Sequence, residues 1–177
     1  MIELERNSLI EHVLRGYKQE IGKDFSVYRN HVYRVYYLAA TLDSDSENRY
    51  KYAIAAIFHD LGIWTHSFDY LEPSIELAKE FLIKRNREKW MEEISLMIDN
   101  HHKISPYRGD YQTTVENFRQ ADWADVVNGI KLFGIKKNDF KKVKQTFPSK
   151  GFHRFLIRQS THYFLRHPFN PLPMFKK

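Results

Sequence analysis

The chain has 177 residues, no cysteine, and 28 Lys and Arg against 22 Asp and Glu, a formal charge of +6. Disulfides and thiolate metal sites are therefore excluded, and a chain of this length can bury roughly 70% of its unfolded surface without them. An apolar content of 42% with 15% aromatics excludes disorder, and the longest apolar run, residues 52–58, is far short of the roughly 20 residues that cross a bilayer.

With only 7 Gly and 6 Pro, the composition predicts a single all-α domain over residues 1–177. No repeat or long linker divides it. Glu3, Glu5 and Arg6 stand where the apolar part of a secretory signal would begin, so the chain reads as cytoplasmic, with no membrane partner.

Taken in order, residues 4–20 place Leu9, Ile10, Val13, Leu14 and Tyr17 on one side of a helix that Gly22 stops. Asp24 is the predicted cap of a second helix, in which Val27, His31, Val35, Leu38 and Leu42 share a face. A third is expected over 48–61, with Ala53, Ile54, Ala56, Ile57 and Phe58 buried, His59 and Asp60 in its last turn, and Gly62 ending it. A fourth begins near Pro73, and a fifth carries Trp90, Ile94, Met97, Ile98 and His101 on one stripe. After a turn at 108–111, Thr113 or Thr114 is the predicted cap of a sixth, whose inward face reads Val115, Phe118, Asp122, Val126 and Ile130. Beyond Gly134 a short basic helix and a longer one over 151–166 are predicted, before Pro168, Pro171 and Pro173 force an extended tail.

Four polar residues on otherwise apolar faces call for an explanation: His31, the adjacent His59 and Asp60, and Asp122. An inward His is commonly a hydrogen-bonded core residue, and Asp122 could be the buried partner of an Arg. However, a buried carboxylate without a partner costs several kcal/mol, and Asp60 and Asp122 both face that cost. One divalent ion resolves it. Two imidazoles and two carboxylates form a mixed N/O site suited to Mn, Fe, Co, Ni, Zn or Mg.

The segments NHVYRV at 30–35, AAIFHDLG at 55–62 and ADWAD at 121–125 resemble the H…HD…D signature of the HD-domain superfamily of metal-dependent phosphohydrolases. The resemblance covers about residues 25–134 and leaves a basic extension at about 135–177. It implies a compact helical bundle in which His31, His59, Asp60 and Asp122 bind one divalent metal, with Asp60 also acting on the metal-activated water. Arg34, three residues after the first His, matches an Arg often found there and could meet a substrate phosphate; a solvent-facing Arg is the alternative. His101 matches an I-x-x-H element that lines the pocket in many members, with His102 an outer neighbour. Glu72 could serve as acid or base, or could stabilise a helix dipole. Dinuclear members usually carry a further His near the start of the helix after HD. Here the chain reads Tyr70, Leu71, Glu72, Pro73 and Ser74, which favours a mononuclear site.

The activity implied is hydrolysis of a phosphomonoester or nucleotide. A hydratase or lyase like the cyanamide hydratase branch is a second reading of the same site. The third is a non-enzymatic adaptor that binds nucleic acid through the Lys-rich last quarter, with Phe133, Phe140, Phe147, Phe152 and Phe155 as stacking candidates or as core.

Overall fold

The computed structural model describes residues 4–67, 69–154 and 157, and among them finds helices and turns but no strand. The fold is all-α. Asn7 caps helix α1 (Ser8–Gly16), its side-chain oxygen accepting from the amides of Leu9 at 2.9 Å and Ile10 at 3.2 Å. The predicted first helix is broken in two: the chain turns at Tyr17 into α2 (Lys18–Ile21), which ends where Gly22 takes φ +58°. A 3-10 turn over Gly22–Asp24 leads directly into α3 (Phe25–Leu42). Asp24 occupies the cap position but makes no capping bond; its carboxylate instead accepts from the Trp64 indole at 3.4 Å.

α3 is the axis of the molecule. It packs against α4 (Ser46–Phe58), α8 (Gln112–Val126) and α9 (Lys137–Thr146), which is why twelve of its residues, from Tyr28 to Ala40, are buried. Residues 52–58 of α4 are buried without interruption, as befits a helix enclosed by α1, α3, α6 (Leu71–Ile83) and α7 (Met91–Asn100).

α4 stops at Phe58, so His59 and Asp60 lie in a tight turn beyond it instead of in its last turn. Gly62 opens the short α5 (Gly62–Thr65) instead of closing a helix. Its glycine is required by a neighbour: a Cβ there would stand 2.4 Å from the Tyr70 carbonyl oxygen and 2.9 Å from Ser74 Oγ, which accepts from the Gly62 amide.

α8 begins at Gln112, after Tyr111 in a left-handed conformation, earlier than the predicted threonine caps. The Thr114 hydroxyl is drawn inward to Glu93 at 2.6 Å. α8 ends at Val126, so Ile130 lies beyond it and is exposed rather than inward-facing. The predicted helix over 151–166 lies mostly outside the described residues, together with Phe155, Arg158, Arg166 and the prolines of the tail. Phe140, Phe147 and Phe152 are buried, and Phe133 is partly buried against the core. Among the described residues, no helix is long and apolar enough to cross a membrane.

Candidate metal centre

Because α3 packs on α4 and α8 while α7 packs on the same pair, the middle of α3, the turn after α4, the end of α7 and the middle of α8 meet at one point. They deliver His31, His59 with Asp60, His101, and Asp122, all buried. The Nε2 atoms of His31 and His59 are 2.9 Å apart. Asp60 Oδ2 lies 3.6 Å from the first and 3.4 Å from the second. Asp122 Oδ1 lies 3.4 and 3.7 Å from the same two atoms. Donors bound to one ion at about 2.0–2.2 Å stand about 2.8–4.4 Å from one another; His31, His59 and Asp60 offer ligand atoms that all lie within 4.8 Å of one another, and Asp122 faces the two imidazoles from outside that group. His101 Nε2 is 3.5 Å from the other Asp60 oxygen and 3.3 Å from the Tyr70 hydroxyl.

The far side of each imidazole is fixed. His59 Nδ1 donates to the Ala56 carbonyl at 2.9 Å, and His101 Nδ1 to the Ile98 carbonyl at 2.6 Å, each a bond to its own preceding turn. His31 Nδ1 donates to Asp125 Oδ2 at 2.8 Å. A neutral imidazole that donates through Nδ1 must present a lone pair at Nε2, the form a metal takes. Two such lone pairs facing each other at 2.9 Å repel unless a cation stands between them. Without a metal that cation is a proton.

Electrostatics place the proton on His31. Burial pushes its pKa down, but hydrogen bonds to Asp125 and Asp60 and the charges of Asp125 and Asp122 raise it to about 9. For His59 burial prevails, helped by the positive neighbours His101 and His31, and the value falls to about 3. Burial alone would raise Asp60, yet His59, His101 and His31 hold it well below the ordinary carboxylate range. Burial and the charges of Asp60 and Asp125 push Asp122 up to about 6 against the pull of His101 and His31. Asp122 Oδ1 is also buried with no hydrogen-bond partner. A missing cation would account for both features.

Arg34 does not take the place foreseen for it. Its guanidinium is 1% exposed and forks onto Asp125, Nε to Oδ1 at 2.6 Å and Nη2 to Oδ2 at 2.9 Å, while Nη1 donates to the Phe147 carbonyl at 3.0 Å. It does not face solvent. Its position one turn after His31 serves a different end, since Asp125 lies one turn after Asp122 and the two i, i+3 pairs face each other. Glu72 is exposed in the first turn of α6. His102 is buried edge-on against the His101 ring, 5.2 Å between centroids.

Three residues at the site escaped the sequence reading. Asp125 had a signal, as the last residue of the ADWAD segment on the same face as Asp122. Tyr70 had none beyond its place in the segment 70–74, where the resemblance led one to look for a further His. Phe152, stacked on the His31 ring at 3.9 Å, had none at all.

An all-helical fold that gathers histidines and carboxylates from separate helices into one buried cluster defines a metal-binding helical domain. The family model described as HD domain matches residues 28–128, more than half of the chain, and the chain belongs to the HD domain family. No curated protein and no solved structure matches it.

Proposed function

We propose that this protein is a metal-dependent phosphohydrolase acting on a phosphomonoester or nucleotide, with His31, His59, Asp60 and Asp122 holding one divalent ion. The observation that carries this reading is the unpartnered buried oxygen of Asp122, facing two imidazoles whose outer nitrogens are already committed. A bound divalent ion there supplies Lewis acidity toward a phosphoryl oxygen and acidifies a water. The protein's own groups do the rest. Asp125 and Arg34 hold the His31 ring, and the Ala56 carbonyl holds that of His59, so the donor set is organised before the ion arrives. His101, with Nε2 3.5 Å from Asp60 and the Tyr70 hydroxyl beside it, is placed to donate a hydrogen bond toward the phosphate.

The test is metal analysis of protein purified without chelator, followed by a phosphate-release panel of nucleotides and sugar phosphates. About one divalent ion per chain and turnover abolished by EDTA are expected. Chelator-resistant turnover, or no phosphate release with any of Mn, Co, Zn and Mg, would overturn the reading.

A further inference from the structure

On the side of α3 away from the metal centre lies a cavity of about 460 Å³, walled by the N-terminal segment, α3 and the loop after α9. Arg6, Glu11, Arg29, Tyr33, Phe147 and Lys150 are among its lining residues. Arg29 and Tyr33 are each two residues from His31, a rotation of about 200° around a helix of 3.6 residues per turn. They therefore project from the face of α3 opposite the one that His31 turns to the cluster.

Among the described residues, the charges that line this cavity do not balance. Arg6, Arg29 and Lys150 stand against the single carboxylate of Glu11, which already accepts from the Tyr33 hydroxyl at 3.0 Å and lies 3.8 Å from Arg29. Among the described residues, no ion pair or hydrogen bond engages the side chain of Arg6 or Lys150. Arg29 Nε is buried and donates to nothing, an arrangement that an incoming acceptor would repair. Lys150 is held at φ +47°, a strained conformation for a residue with a Cβ, on the cavity wall.

We propose that this cavity is a second binding site, distinct from the metal centre, for a small phosphorylated anion. Three cations suit a group carrying two or more negative charges better than a single carboxylate. An Arg fork with a Lys point charge is the usual means of holding phosphate oxygens, and the volume lies within the range of about 300–1,000 Å³ typical of small-molecule pockets. The site needs no turnover at the metal, so it stands whether or not the hydrolase reading does.

Calorimetric titration of the full chain with inorganic pyrophosphate and with ADP tests it, using wild type, Asp122→Asn, and the double variant Arg6→Gln/Lys150→Gln. Both Gln changes fall on exposed residues without partners among the described residues, so folding is preserved and melting curves verify it. Binding should persist in Asp122→Asn, weaken at least tenfold in the double variant, and weaken with added salt. ADP binding more tightly than pyrophosphate would identify a nucleotide as the occupant; equal affinity would identify the phosphates alone. In NMR spectra the Arg29 Nε–H resonance should shift on titration. Binding lost in Asp122→Asn but unchanged in the double variant would assign the anion to the metal centre and overturn the proposal, as would no binding by wild type at millimolar probe.

Discussion

Asp122 and Asp125 lie one turn apart on α8, both buried, yet replacing each by Asn should have opposite consequences for the metal-free protein. Asp122 is displaced upward from its ordinary 3.8 to about 6. The unfolded chain thus releases this proton first, so stability falls as pH rises from about 4 to 6 and the deficit is complete above that. Two units at 1.36 kcal/mol each make the deficit about 3 kcal/mol at pH 8. Asn carries no charge and escapes it, less about 1–3 kcal/mol if its amide finds no acceptor, so Asp122→Asn in EDTA should melt at or above wild type. Asp125→Asn instead removes the counter-charge of Arg34, which is 1% exposed. An unpaired buried cation costs about 3–5 kcal/mol, a fall of roughly 6–20 °C in Tm at about 2–4 °C per kcal/mol. Thermal melts at pH 8, with EDTA and with Mn, measure both effects. Mn at a hundred times its Kd should add about 2.7 kcal/mol to wild type and nothing to Asp122→Asn. A large EDTA-independent loss in Asp122→Asn, or a wild-type melt for Asp125→Asn, would refute the assignment of the two carboxylates.

Because His31 is protonated in the metal-free site up to about pH 9, a metal must displace that proton; affinity should rise about tenfold per pH unit from pH 7 to about 9 and then level, and calorimetry in buffers of different ionisation enthalpy would detect the released proton. A pH-independent affinity would contradict this charge assignment. Gly62→Ala places a Cβ 2.4 Å from the Tyr70 carbonyl oxygen and should cost about 1–3 kcal/mol in urea unfolding, a cost absent if the turn can shift freely. Tyr70→Phe removes the hydroxyl 3.3 Å from His101 and should lower turnover at unchanged metal affinity; loss of metal binding instead would make Tyr70 part of the ion's own environment.

Much of this protein was legible locally. Steps of three and four along α3 turned His31 inward, the same count on α8 did so for Asp122, and the apolar run at 52–58 became the uninterrupted core of α4. A helix repeats its facing every few residues, so inwardness is written within a single turn or two. Punctuation was less legible: Tyr17 breaks a continuous apolar stripe, and Gly62 answers to the backbone of Tyr70 rather than to a helix end. Partner choice was not legible at all. Whether Arg34 faced solvent, a substrate or a carboxylate depended on Asp125, 91 residues away, and the same carboxylate orients His31 across 94. The sequence alone thus determined which residues turn inward, because helical periodicity is local. Only the docking of α3 against α8, the sum of many apolar contacts spread over both helices, decided which inward groups meet and which oxygen is left without a partner.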